Sequence, residues 1–434
     1  MPALFLALLV LYVLLGAPSV TFHGDEAMQV YMSSDYATIF FDRAPERLLS
    51  YPPFAIDSDA HLRLINGSVN RYLIGLSWHL GGYPRESLPP RPGWDWGLSY
   101  ADNVATGHRP APDFMTLARA SSALLTGAAV LLMFAIGWRV GGAPAAVLAS
   151  LIFALHPVVL LNGRRAMQEG AMLAFGLLMV YAALLIVSAG DGTRRRAVGR
   201  WTLLAAAGAL TLASKHSGVI FLAAAYAWAA VDAAWRGLRL GDLTMRRAAG
   251  RFALLIISGV VTLALWVALS PALWSAPLER FGDLLAARAE LLDIQVAIDP
   301  VAPMPFDQRL LEIVRQPFTT PAQHFEVASW GEAPAVQDEI AAYLASPLSG
   351  APYGVVVGGA LTVFAGIGAV AALRRRQSAW LALWAGVVAL SLLANPLPWQ
   401  RYYLPLIPPA ILLAAVGMRY SYGVVRRAFS EKDA

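Results

Sequence analysis

Thr21-Phe22-His23-Gly24-Asp25-Glu26-Ala27-Met28 is the first polar stretch of the chain, and it follows residues 3–17, which are almost wholly aliphatic and are closed by Pro18. The apolar run reads as a first membrane span, so a histidine and two adjacent carboxylates stand where that span leaves the bilayer. Acids at such a position are costly unless they sit in water or find partners, which makes them candidate functional groups. A hydrated loop start just outside the lipid is the plainer reading of the same residues.

The rest of the composition agrees with a span at this point. Of 434 residues, 58% are hydrophobic and 14% are charged, against about 25% charged in soluble domains. The fold class expected is therefore an all-α polytopic membrane protein, in contact with membrane lipids along most of its length. The formal net charge is +5, but the basic residues fall in short clusters between apolar runs. That pattern is an orientation signal for a membrane and not a nucleic-acid surface. The chain has no cysteine, which excludes disulfides, thiolate metal sites and cysteine nucleophiles. Residues 3–15 could pass for the core of a signal peptide, but no basic segment precedes them, and a retained first helix is the better reading.

A bilayer core takes about 20 apolar residues per helix. On that measure about ten transmembrane helices are expected, over residues 2–20, 114–138, 143–161, 168–189, 201–214, 217–235, 252–270, 353–373, 378–394 and 402–418. Arg139, Arg194-Arg195-Arg196 with Arg200, the group Arg236 to Arg251, Arg374-Arg375-Arg376 and the group Arg419 to Lys432 then all fall on one side. The positive-inside rule makes that side cytoplasmic, with both termini inside. The expected organisation is an N-terminal transmembrane module over 1–270, whose first outer loop is 21–113, an outer cap over 271–352, and C-terminal helices and a tail over 353–434. No internal repeat of fixed period is visible.

In the first outer loop Leu62, Ile65, Val69, Tyr72, Leu76 and Leu80 recur at helical spacing, with Arg63, Asn66, Asn70 and Ser77 away from them. This predicts an amphipathic helix at the membrane surface. In the second outer segment, helices are expected near 278–296 and 336–344, with a proline-punctuated loop over 300–321. Span 201–214 is anomalous: as a helix it reaches only about 21 Å, against a core of about 30 Å. Either it starts deep, or it stops short and leaves Lys215 and His216 in a cavity below the outer surface.

Polar groups from four places in the chain collect at the outer helix ends. They are Asp25 and Glu26, then Asn162, Arg164, Arg165, Gln168 and Glu169, then Lys215 and His216, and finally Gln400, Arg401, Tyr402 and Tyr403. Each has a plainer reading. Glu169 would suit the positive end of a helix dipole, Arg164 and Arg165 an interface, and Arg401-Tyr402-Tyr403 an aromatic belt with a phosphate anchor. His23, His61, His108, His156 and His324 share no metal-binding spacing.

Taken in order, these stretches resemble the GT-C glycosyltransferases that use lipid-phosphate sugars, the protein O-mannosyltransferase and aminoarabinose transferase group in particular. His23-Gly24-Asp25-Glu26 is similar to that superfamily's Asp-Glu loop. Asn162-Gly163-Arg164-Arg165-Ala166-Met167-Gln168-Glu169 looks like the segment carrying its second acid, with glutamate where aspartate is usual. Leu212-Ala213-Ser214-Lys215-His216-Ser217-Gly218 is similar to its lysine-glycine turn. Gln400 to Pro408 resembles its arginine-tyrosine-proline stretch. No motif is matched within 271–352.

The resemblance implies a bundle of membrane helices with surface-lying helices in the first outer loop, a multi-pass protein of the cell (plasma) membrane, and an active site on its outer face. It implies transfer of a sugar from a polyprenyl-phosphate donor to an acceptor hydroxyl on a protein, lipid or glycan, with inversion. Asp25, Glu26 and Glu169 would be the catalytic acids. Lys215, Arg401, Arg164 and Arg165 would bind the donor phosphate, and His23, Tyr402 and His216 would line the acceptor cavity. Some relatives use a divalent metal, for which Asp25 and Glu169 would offer hard oxygen ligands suited to magnesium or manganese. His324, Glu326 and Trp330 are further candidates for acceptor contact. A transporter or flippase for a lipid-linked sugar is the competing expectation, because it too needs acids and bases at membrane depth.

Overall fold

Backbone amides inside a bilayer have no water to bond and must be satisfied within their own segment. In the computed structural model, which describes residues 2–56, 58–188, 194–238, 245–298, 303–375 and 378–430, the chain is accordingly helical, with no strand among the described residues. The first helix, α1 (Pro2–Leu15), leads into an outer layer of α2 (Gly24–Met32), α3 (Ser34–Phe40), α4 (Asp59–Ile65), α5 (Ser68–Leu80) and α6 (Tyr100–Ala105). The long α7 (Pro112–Ala154), short α8 (Pro157–Arg164), α9 (Glu169–Val187), α10 (Arg194–Ser214), α11 (Val219–Leu238) and α12 (Met245–Leu269) form the main bundle. A second outer layer holds α13 (Pro277–Ile298), α14 (Phe306–Arg315), α15 (Ala328–Gly331) and α16 (Pro334–Ala345). The chain closes with α17 (Gly354–Leu373), α18 (Ala379–Leu393) and α19 (Ile407–Ser430).

Seven of the described helices are long and apolar enough to cross a membrane, and α1 and α18 are shorter apolar helices. Each of the ten expected spans overlaps helix, the third running from the end of α7 across a break into α8, while the second lies wholly within α7. The α7 backbone breaks at Gly142, whose φ is 69°. A side chain there would be strained, and Pro144 two residues later suits the first turn of the following half. The two halves press together beyond the break: a Cβ on Gly137 would meet the Ala146 Cα at 2.9 Å. The main core joins α1, α7, α9, α17, α18 and α19 through residues such as Val13, Met133, Leu177, Trp384 and Ile411. Val355, Val356, Ile256 and Val260 point outward, as lipid-facing residues do. In the basic clusters, Arg376 and residues 431–434 lie outside the described residues.

Three expectations for the outer segments change. The single amphipathic helix over 62–80 is two helices, broken at Asn66-Gly67. A Cβ on Gly67 would fall 2.1 Å from the Ser214 carbonyl oxygen, so only glycine lets this turn dock on the end of α10. The buried face is also different: Asn70, Arg71, Ile74 and Trp78 are buried, while Leu76 and Leu80 are exposed. The periodic reading assumed that water lies outside the helix. Here α5 is held between α3 and α7, and its polar face is the one with partners: Arg71 approaches Asp35 at 3.2 Å. Finally, 300–321 is not all loop, since α14 lies within it, although residues 299–302 are outside the description. The helices expected near 278–296 and 336–344 are α13 and α16.

The joint between the outer layer and the bundle is the Glu26 carboxylate, which is fully buried. Arg119 of α7 donates to both of its oxygens, at 2.7 and 2.8 Å. The Ala166 amide donates at 2.8 Å and the His23 amide at 3.1 Å. Burial would raise this carboxyl, but Arg119 outweighs it and holds the group below its ordinary value. Breaking a buried pair by removing one partner costs about 3–5 kcal/mol. Glu26→Gln is therefore expected to bring forward thermal unfolding in detergent by a corresponding amount, while the exposed Glu46→Gln leaves it unchanged. Equal melting of the two variants would refute this role for Glu26.

Candidate active site

Asp25, Glu169, Lys215, Arg288, Arg401 and Tyr402 line one hollow of ≈ 320 Å³. The volume lies at the lower end of the range for small-molecule sites, about 300–1,000 Å³. Its remaining walls include Asn66, Gln168, Trp96 and Trp330, and an apolar side is made by Ile56, Leu291, Ile294 and Ile298.

Local structure puts each charged group there. His23 caps α2: its Nδ1 accepts the Asp25 amide at 3.1 Å, and Glu26 closes a capping box with the His23 amide. Because Nδ1 is accepting, the ring proton belongs on Nε2, which donates to Glu326 at 2.9 Å. The cap turns the Glu26 side chain into the protein and leaves its neighbour, Asp25, in the hollow with 25% of its side chain accessible. Arg401, in the 3₁₀ turn Gln400–Leu406, donates to Asp25 through Nη1 and forms an ion pair with Glu326, its Nε 3.0 Å from Oε1. Its guanidinium also lies over the rings of Trp399 and Tyr402, at 5.5 and 5.9 Å from their centroids. The Tyr402 hydroxyl donates to Gln295 at 2.9 Å.

The short span resolves in favour of the cavity. Helix α10 starts earlier than expected, at Arg194, and stops at Ser214. Lys215 is then extended, at φ −155° and ψ 132°, before the 3₁₀ turn His216–Gly218. Its ammonium is 11% accessible and pairs with Glu169, the first residue of α9. The second Glu169 oxygen, Oε2, is buried without a hydrogen-bond partner.

Burial would raise the Asp25 carboxyl, but Arg401 beside it dominates and holds it below the ordinary carboxylate range. Glu326 behaves the same way: burial opposes ionisation, and Arg401 overrides it and depresses the pKa. Arg288 is different. Among the described residues it has no carboxylate partner, and burial, together with the charge of Arg401, lowers its proton affinity although Tyr402 favours the cation. A half-buried cation left in this state attracts an anion.

Other expected site residues are placed elsewhere. Glu26 is the structural joint described above. Arg164 and Arg165, both fully buried, do not line the hollow. Arg164 donates to the carbonyls of Val13 at 2.8 Å and Tyr12 at 2.7 Å, and Arg165 to Thr21 at 3.0 Å and the His324 carbonyl at 2.9 Å. His23 acts on the site through Glu326, and His216 faces Trp266 at a ring separation of 5.9 Å, behind Lys215. Trp330 does reach the hollow, stacked on Trp96 with centroids 4.1 Å apart. The sequence reading passed over Arg288 and Arg119. Arg288 sits one helical turn from Leu284 and Leu291, on the face of α13 that packs inward. An arginine on an apolar stripe was the available signal.

Asp25 and Glu169 are a poor fit to a divalent metal as arranged. Each is already neutralised by a cation, and among the described residues no group of three His, Asp or Glu side chains converges.

With this geometry in hand, the comparisons define the class. The model for dolichyl-phosphate-mannose-protein mannosyltransferases matches residues 64–273. No curated protein matches by sequence. Among solved structures, the chain is similar to ArnT from Cupriavidus metallidurans bound to undecaprenyl phosphate, at 14% identity and a TM-score of 0.55, covering 99% of this chain and 63% of that one. It is also similar to the oligosaccharyltransferase of Archaeoglobus fulgidus in its apo form, at 13% identity and a TM-score of 0.53, covering 99% of this chain and 52% of that one. The chain thus shares its fold with these two structures, and the matched residues of the family model include two of the four polar motifs, 162–169 and 212–218. The chain spans less than two thirds of the length of these relatives.

The Arg401 pairings make a prediction with a definite sign. In the wild type, Asp25 and Glu326 have depressed folded-state pKa values. They contribute stability above their unfolded values of about 3.9 and 4.3, and this is lost as pH falls through the folded values. In Arg401→Gln, the largest opposing charge is gone and burial raises both groups, against His23 and Arg165, which remain. The variant should melt well below wild type near neutral pH, and the deficit should shrink as the pH is lowered through the carboxylate range. A deficit independent of pH would show that the three groups are not coupled.

Proposed function

We propose that the protein is a membrane glycosyltransferase that moves a sugar from a polyprenyl-phosphate donor to an acceptor hydroxyl. The observation that carries this reading is one hollow holding an ionised carboxylate, Asp25, beside a cation without a carboxylate partner among the described residues, Arg288, and a second cation, Lys215. A base and an anion site within one small cavity suit a reaction in which a hydroxyl attacks and a phosphate leaves. The ArnT structure with undecaprenyl phosphate, and an Archaeoglobus fulgidus oligosaccharyltransferase structure with a dolichol-phosphate, support a lipid phosphate as the leaving group.

In this mechanism the Asp25 carboxylate accepts the acceptor's proton as its oxygen bonds to the anomeric carbon. The bond from that carbon to the phosphate oxygen breaks with its electron pair, through an oxocarbenium-like state. The departing phosphate is a good leaving group and takes no proton, so its charge is what the site must stabilise. Arg288 can grip it with two bonds and Lys215 as a point charge. Arg401 holds Asp25 in its ionised form. A single displacement with one carboxylate base gives inversion. The apolar wall of Ile56, Leu291, Ile294 and Ile298 would meet the first isoprene units, and the Trp96–Trp330 stack would meet the acceptor, whether protein, lipid or glycan. The arginine-rich helix ends lie at the opposite end of the bundle from the hollow, which supports a hollow on the outer face of the cell membrane with both termini in the cytoplasm.

The test is turnover of a defined polyprenyl-phosphate sugar by purified protein, read as release of free polyprenyl phosphate. Asp25→Asn should lose about 10²–10⁴-fold in kcat, the usual worth of a general base, and Lys215→Ala a comparable amount. Robust turnover by Asp25→Asn would defeat the proposed base. Binding of the lipid sugar without release of polyprenyl phosphate would favour a flippase.

Arg288 supplies a separate check. A hydrogen bond to a charged group contributes about 1.5–3 kcal/mol, so Arg288→Gln should lower kcat/KM roughly ten- to a hundredfold. It should do so without lowering the melting temperature, because no ion pair is broken. A stability loss with unchanged kcat/KM would make Arg288 structural.

A further inference from the structure

A second pair of hollows lies at the other end of the helices, away from the Asp25 cavity. The first, of ≈ 180 Å³, is formed where the Gly142 break of α7, the end of α17, the start of α18 and the middle of α19 meet. Its polar lining is Arg375, Arg419, Arg427, Ser378 and Tyr420. Among the described residues no acid lines it and no carboxylate pairs with any of the three arginines. Arg427 Nε donates to the Gly423 carbonyl, at 3.2 Å. The glycine turn is tight, since a Cβ on Gly141 would fall 2.5 Å from the Ala145 Cβ, and the Arg419 guanidinium lies beside it in ordinary contact.

The second hollow, of ≈ 390 Å³, shares Ala371 and Tyr420 with the first. It is a groove along α17 walled by Val363, Gly366, Ile367 and Val370, with Arg374 at its mouth. Val363 and Val370 are 62% and 52% exposed on a helix long and apolar enough to span a membrane, so the groove opens to lipid. Gly366 keeps it open, since a Cβ there would have nothing within 4 Å.

We infer that these joined hollows bind an anionic glycerophospholipid, its phosphate among Arg375, Arg419 and Arg427 and one acyl chain in the α17 groove. A cluster of unpaired arginines at the membrane boundary favours an anionic head group. The adjoining apolar groove selects a lipid over a free phosphate, which would gain nothing from it. The site is independent of the reaction run in the Asp25 cavity.

Native mass spectrometry of the purified full chain tests this, with dioleoylphosphatidylglycerol and dioleoylphosphatidylcholine offered at equal concentration. Wild type should retain phosphatidylglycerol over phosphatidylcholine roughly tenfold. Arg375→Gln with Arg419→Gln should abolish that preference. Gly366→Leu, which fills the groove and alters no charge, should lower retention several-fold. Arg195→Gln with Arg196→Gln removes the same charge from exposed positions on α10 and should leave retention unchanged. Equal loss in this last variant would mean diffuse charge attraction only. Unchanged retention by Gly366→Leu, or full displacement of the lipid by inorganic phosphate, would likewise overturn the site.

Discussion

Glu26 is the constraint on which the arrangement depends. A carboxylate with no solvent access persists only if its lone pairs are satisfied, and here four donors from three parts of the chain satisfy them. Arg119 brings α7, the Ala166 amide brings the turn before α9, and the His23 amide ties the carboxylate to its own helix start. Once these are made, the beginning of α2 has no freedom left. Asp25, one residue earlier and about 100° around the helix, then points away from that joint and into the hollow. Two adjacent acids of nearly the same chemistry thereby acquire different tasks, one holding the layers together and the other free to react.

Charge balance around Asp25 follows from the same economy. Arg401 is shared by Asp25 and Glu326, and Lys215 is matched by Glu169. Lys215 and Glu169 balance each other, whereas Arg401 faces two carboxylates, so these five groups carry one net negative charge. Arg288 offsets that charge across the hollow without touching a carboxylate among the described residues, which leaves its guanidinium able to take an anionic ligand. Glu169 Oε2, buried and unpaired, adds an acceptor that could take a hydroxyl of the sugar.

Much of this was legible in the sequence. The helix positions followed from apolar run length. Lys215 was expected in a cavity because its span looked too short, and it does line the hollow, although α10 begins at Arg194 and its 21 residues are long enough to cross a bilayer core. The convergence of residues near 25, 169, 215 and 401 was legible as well, since alternating spans return every second turn to one side. What failed was periodicity in the outer layer. The pattern from Leu62 to Leu80 predicted one amphipathic helix at the membrane surface, whereas α4 and α5 break at Asn66-Gly67, and on α5 Asn70 and Arg71 are buried while Leu76 and Leu80 are exposed. Sequence periodicity reports two faces but not which of them meets protein when the surroundings are not simply water. Arg164 and Arg165 misled for a related reason: an arginine pair beside an acid reads as a phosphate site, yet their donors are taken by carbonyls that end α1 and the strap after it.

The outer segment after α12 matched no motif, yet it supplies two groups that the hollow cannot do without. Arg288 comes from α13, and Glu326 from the turn before α15 holds both His23 and Arg401. Gln323 and Gln400 exchange hydrogen bonds at 2.7 and 2.8 Å a few residues away, and Trp330 closes on Trp96 above. A cap that only covered a finished site would touch its rim. This one instead completes the ion network around Asp25, so any movement of residues 323–330 that opens the hollow also alters the field at that carboxylate. Access and ionisation are coupled through the single guanidinium of Arg401, whose Nε pairs with Glu326 of the cap and whose Nη1 donates to Asp25.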